Sequence, residues 1–120
     1  MAEKDRLRIV AFLAEEYLAA DRAEQAGEGA AAWHHLERAH IAAQMHFRLH
    51  WQSHIKMLQM AGRDRDWREG IGQVARLFLV PLGHLTGRLP VGNTGRANVS
   101  AFAPMEMAQD LKSLLDPSQR

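Results

Sequence analysis

The sequence predicts an all-α fold of about four helices packed as antiparallel hairpins, followed by a long ordered C-terminal loop, and three observations carry that reading. Apolar residues near the start recur at three- and four-residue steps, the period of a helix with one buried face. From Ala30 to Ala61 there is neither proline nor glycine, and the pattern is helical throughout. Beyond Pro81 the composition turns to Gly, Asn and Pro, the residues of turns.

The first helix is expected over about residues 5–26, with Leu7, Val10, Ala14, Tyr17 and Leu18 as its core face, and "AGEGA" (Ala26 to Ala30) breaks it. A single helix from Ala30 to Ala61 would be unusually long for so small a domain. Two are therefore expected, about 30–43 and 46–61, with a tight turn near Ala43 to Met45. "AGRDRD" closes the second, and "WREGIGQVARLFLV" builds a fourth helix, about 65–80, that stops at Pro81 because proline has no amide hydrogen to continue the ladder. An ordered loop over about 81–106 follows, pinned onto the helices by Val91, Val99 and Phe102, and "AQDLKSLL" forms a short helix within about 107–115. Two segments, "EQAGEGAAAWHHLERAH" and "LQMAGRDRDWREGIGQVAR", run from Ala-Gly through a tryptophan into a helix at a spacing of about 35 residues. They resemble a pair of tetratricopeptide (TPR) hairpins without the full repeat consensus, and a four-helix bundle is the other arrangement that fits.

The chain has 120 residues, enough for one domain with its own core. With 47% hydrophobic and 24% charged residues it reads as an ordinary globular protein, and a net charge of +1 argues against a nucleic-acid partner. No segment reads as a signal peptide or a membrane span, so a cytoplasmic location is the expectation. The chain contains no cysteine, so any transition-metal site must be assembled from His, Asp, Glu or Met.

Such a site is suggested by "HFRLHWQSH". His46, His50 and His54 are four residues apart, so they lie about 40° from one to the next on one helical stripe, bordering the apolar sector of Phe47, Trp51, Ile55 and Leu58. A half-buried flank suits ligands, which must be held in place. The preceding helix carries "WHHLERAH": His34 and His35 are expected toward solvent, His40 inside the stripe of Trp33, Leu36, Ala39 and Ala43, and Glu37 on its edge. Glu-x-x-His on an inward face is the spacing used by di-iron helical bundles, although this chain has one such motif where a full di-iron site needs two. With a turn near Gln44, antiparallel pairing sets His40 level with Leu49 and His50. One hairpin would then gather Glu37, His40, His50 and either His46 or His54.

Further donors are less well placed. Asp21 falls in the expected apolar sector of the first helix with Glu24 close by, but both sit near the helix end. Met57 lies on the histidine side one turn after His54; with Met60 and Met45 it would suit copper(I), whereas methionine at helical spacing is ordinarily core filler. "GRLPVGNTGRANVS" has glycine-rich turns and two arginines, Arg88 and Arg96, yet lacks a P-loop ending and any preceding strand, so a structural role is expected for it. His84 is isolated and is assigned no role.

The run "HHLERAHIAAQMHFRLHWQSHIKML", followed by "RDRDWRE" and "GNTGRANVSAFAPM", resembles the small bacterial proteins grouped as the DUF3703 family, over about Trp33 to Leu111. The matching positions are Glu37, His40, His46, His50, His54 and Met57, together with Gly92 to Gly95. The resemblance supplies no activity. It implies that the histidines belong to a family pattern.

The expected function is therefore binding of a transition metal, zinc, iron, copper or nickel, through Glu37, His40, His46, His50 and His54, with Asp21, Glu24 and Met57 as secondary candidates. A homodimer could complete a dinuclear site. Binding is preferred to catalysis because no separate general base or nucleophile stands out. Two other readings stay open: a TPR-like protein-interaction module whose histidines only pack, and a haem protein with two histidines as axial ligands.

Overall fold

In a computed structural model describing residues 3–116, the chain is all-α. Its helices are α1 (Glu3–Gln25), α2 (Gly29–Ala43), α3 (Phe47–Arg63), α4 (Trp67–Thr86) and α5 (Gln109–Leu115). The stretch between Ala30 and Ala61 is two helices, parted by a turn over residues 44–46 in which the His46 amide donates to Ala43 O (3.0 Å). Helices α1 to α4 run alternately in opposite directions: Glu16 of α1 meets His35 and Arg38 of α2, Trp33 and His40 of α2 meet Asp64 after α3 and His50 within it, and His54 and His50 of α3 meet Gln73 and His84 of α4.

The buried face of α1 is Ile9, Leu13, Ala20 and Ala23, with Asp5 and Glu16 in the same stripe. This corrects the expected face, since Leu7, Val10 and Leu18 are exposed. The physical reason is Glu16. Its carboxylate accepts from Arg38 Nε (2.8 Å) and pairs with His35 Nδ1 (2.6 Å), so a charged residue can sit in the contact with α2, and hydrophobicity alone misplaces the face. His35 is accordingly half-buried rather than free in solvent. Alanines at Ala20, Ala23, Ala32 and Ala39 let the two backbones approach closely.

Two apolar clusters form the core. Ile9, Leu13, Ile41, Leu49 and Leu111 join α1, α2, α3 and α5, while Trp33, Leu36, Met57 and Met60 join α2 and α3 against the end of α1. Trp33 also donates its indole N–H to Asp64 (2.8 Å), tying the start of α2 to the end of α3.

α4 starts on an Asp66 cap whose side chain accepts from the Glu69 amide (3.0 Å). It does not stop at Pro81 as the sequence rule anticipates but runs through it to Thr86, ending on Gly87 in the left-handed region (φ +74°). Proline removes one ladder bond. Here the ring stands on the exposed side, and Leu77, Val80 and His84, on the other side, keep the helix in contact with its neighbours.

From residue 88 to 108 there is no regular helix, and polar bonds hold the segment in place. Val91 and Phe102, expected as apolar pins, are exposed. The pin is Asn93, which is buried: its Nδ2 donates to Ser100 O (2.7 Å) and Ala103 O (2.8 Å), and its Oδ1 accepts from the Gly95 amide (2.9 Å). At Gly92 (φ +82°) a Cβ would lie 2.0 Å from Met105 O, so this turn requires glycine.

Candidate metal centre

α2, α3, α4 and the 88–108 segment converge on three imidazoles. His40, His50 and His54 are each no more than 4% exposed, which for His50 and His54 is deeper than the half-buried flank expected of them. Their Nε2 atoms face one another: His50 Nε2 lies 3.1 Å from His40 Nε2 and 3.2 Å from His54 Nε2. The ring centroids are 4.6–5.0 Å apart.

The outward nitrogens are engaged in a way that fixes the protons of His40 and His54. His40 Nδ1 is 2.8 Å from Asn93 O, which as a carbonyl can only accept, so Nδ1 carries the hydrogen and Nε2 holds a lone pair. His54 Nδ1 is 2.7 Å from Gln73 Oε1. Gln73, fully buried, spends its amide hydrogens on Glu69 Oε2 (2.7 Å) and Gly95 O (2.8 Å), which sets its oxygen toward His54 as an acceptor. His54 Nε2 is therefore also a lone pair. His50 Nδ1 is 3.0 Å from His84 Nε2. If His50 donates outward to His84, three lone pairs meet with no hydrogen among them; if it turns its proton inward, that proton cannot satisfy both neighbours fully.

Burial holds all three rings neutral. It pushes His40 well below the ordinary histidine value, with His54 and His50 adding to the effect. His50 is lowered to about 3 by burial and then by His54 and His84, and His54 to about 4 by burial, with the Gln73 bond opposing. Neutral imidazole is the form that ligates metals. A metal bound at about 2.05 Å by two imidazoles in tetrahedral geometry holds their nitrogens about 3.3 Å apart. The two spacings to His50 Nε2 are close to that, and the three donor atoms lie within 4.8 Å of one another.

A further shell fixes the supports. Glu69, buried, accepts from Gln73, from Arg96 Nε (2.8 Å) and from the Ala97 amide (2.8 Å). Arg96 in turn lies 3.8 Å over the Trp33 ring. Gly95 (φ +83°) passes so near His40 that a Cβ would come within 2.8 Å of its ring. On one side the histidines line a cavity of about 450 Å³ whose walls include Leu79, Val80, Leu82, Leu89 and Phe102, with Arg76 and Arg88 also at its lining.

Of the residues expected at the site, the structure brings together His40, His50 and His54, in the register that sets His40 level with His50. Glu37 stands by Arg96 Nη1 (3.5 Å); burial raises its pKa above the ordinary carboxylate value and Arg96 opposes in part. His46 is the residue before α3, with a buried Nε2 lacking a hydrogen-bond partner among the described residues. Asp21 is exposed, Glu24 pairs with Arg63 (2.9 Å), and Met57 is wholly buried in the apolar cluster with Trp33. His84, given no role from sequence, orients His50. Sequence reading missed Gln73, Glu69 and the Asn93 carbonyl as supports; the one signal for the last was the Gly-Asn-Thr-Gly run.

Fold and cluster together define a small helical protein with a buried three-histidine centre supported by hydrogen-bonded outer groups. The chain belongs to the DUF3703 family, described as a protein of unknown function, which it matches over residues 8–115. No curated protein and no solved structure matches it.

Proposed function

We propose that the protein binds one divalent transition-metal ion through the Nε2 atoms of His40, His50 and His54. The observation that carries this reading is the proton placement: Asn93 O and Gln73 Oε1 hold the hydrogens of His40 and His54 on the outside, leaving unprotonated nitrogens aimed at a common point beside His50 Nε2. With either tautomer of His50 at least one buried lone pair is left short of a full hydrogen bond, which is unfavourable in a core that exists only to pack, and a metal ion resolves it. Hydrogen-bonded outer nitrogens are the usual support of metal-ligating histidines.

Three imidazoles leave a coordination position free, and the adjoining cavity gives a small molecule or water room to take it. Zinc, copper, iron and nickel all accept such a donor set. Glu37 and Glu24 stand against arginines, Asp21 is exposed, Met57 sits in the apolar cluster, and His46 is outside the group of donor atoms within 4.8 Å, so none of the five is in the proposed ligand set.

The test is metal content and titration of the purified protein, using cobalt(II) as a visible probe beside zinc. Wild type is expected to bind one equivalent with the absorption of a low-symmetry site, and His50→Ala with His54→Ala to bind none. A wild type that takes up neither ion overturns the reading.

A further inference from the structure

α4 has two opposed faces. One carries the buried Glu69, Gln73, Leu77 and Val80. The other carries Trp67, Ile71, Val74, Phe78, Leu82 and Leu85, exposed by 43% to 84%. At about 100° per residue these six fall in a sector about 80° wide. They run the whole length of the helix, about 30 Å. The charged residues of α4, Arg68, Glu69 and Arg76, all lie outside the sector. Beside its first half an apolar groove of about 390 Å³ opens between Leu58 and Gly62 of α3 and Trp67, Gly70 and Ile71 of α4.

We propose that this face is the interface of a homodimer in which α4 packs antiparallel on its own copy about a twofold axis near Arg76. Three observations select a second copy as the occupant. The stripe is self-complementary in reverse: Trp67 and Leu85 lie nine residues either side of Arg76, Ile71 and Leu82 five and six, and Val74 and Phe78 two each. Antiparallel pairing therefore sets Trp67 on the partner's Leu85, Ile71 on the partner's Leu82 and Val74 on the partner's Phe78, as a twofold contact demands.

The area also fits. At their exposures the six side chains present on the order of 800 Å², the share each partner gives to a standard interface and more than the largest patch of a typical monomer. The other outward apolar stripe, Leu7, Val10 and Leu18 on α1, is half as populated. Finally, a face that meets itself must not repel itself, and this one carries no charge. Arg76, at the axis, is turned away and donates to Val99 O (2.7 Å), while the exposed Ala75 beside it lets the helices approach.

The proposal does not depend on the metal reading: Gln73 and His84, the α4 residues that touch the histidines, lie on the other side of α4, and of the six only Leu82 also borders the histidine cavity. Its test is the mass in solution, by light scattering or sedimentation at tens of micromolar. Wild type is expected at twice the chain mass, Phe78→Glu at the single-chain mass with unchanged helical circular dichroism, and Leu7→Glu still dimeric. The chain has no cysteine, so Ala75→Cys supplies one thiol near the axis. A short bis-maleimide should convert that variant to covalent dimer and leave the exposed Lys112→Cys variant single. This second arm holds even if Phe78→Glu fails to fold. A monomeric wild type, a dimer untouched by Phe78→Glu, or an Ala75→Cys dimer that does not cross-link would each overturn the proposal, as would a monomer that uses the face to bind lipid vesicles.

Discussion

The missing side chain of Gly95 decides how closely the C-terminal segment can approach His40. Adding a methyl there places carbon 2.8 Å from the ring and forces φ +83° on a residue with a Cβ. Gly95→Ala is expected to cost about 2–4 kcal/mol in denaturant unfolding and to weaken metal binding with it. Gln73→Leu asks a narrower question. It removes the acceptor that orients His54 without touching a ligand, and a 10- to 100-fold loss of metal affinity is the expected result of removing such a support. Unchanged affinity would show that His54 needs no orienting partner. The pH dependence follows from the same rings. The folded values, about 3 for His50 and about 4 for His54, lie below the ordinary 6.5, so the unfolded chain binds protons that the folded chain refuses. Stability of the metal-free protein is full above pH 6.5 and falls, by on the order of a few kcal/mol, as pH drops from 6.5 toward 4. The midpoint of urea unfolding measured across that window checks both the sign and the span.

At the scale of the helix, α1 and α4 show where sequence patterning succeeds and where it fails. The α2–α3 turn was legible because one helix from Ala30 to Ala61 would be unusually long for so small a domain, which left a hairpin as the compact solution, and its register followed. The buried face of α1 was not, because Glu16 occupies it and is made tolerable by His35 and Arg38, residues of another helix. The end of α4 was not, because the rule for proline weighs one lost ladder bond and takes no account of the contacts that Val80 and His84 make around it. Pro81→Ala restores the amide that Leu77 O lacks, and is expected to raise stability by about 1–3 kcal/mol in a thermal or urea melt. A loss instead would mean that the proline geometry is needed for His84 to reach His50.

For the whole molecule, three members of the centre were readable from spacing and hairpin register, while their supports were not. A backbone carbonyl such as that of Asn93 leaves no trace in composition. The pairing of Glu37 with Arg96, 59 residues away, is equally silent, so Glu-x-x-His reads as a ligand motif until the fold is known. A metal bound only by the folded state should stabilise the molecule by about 2.7 kcal/mol when free metal is a hundredfold above its dissociation constant. Calorimetric melts with and without zinc should differ by several degrees in wild type and coincide in the His50→Ala, His54→Ala variant.

His40 offers one nitrogen to the centre and the other to Asn93, and Asn93 is also the residue that gathers Ser100 and Ala103. A cation on Nε2 draws electron density from the ring and makes Nδ1–H a stronger donor, so occupancy at the centre should reach the surface as a tightening of the strap from residue 91 to 103. Amide hydrogens there should exchange more slowly in the zinc-loaded protein than in the metal-free one. The molecule would then report its own filling to whatever touches that strap.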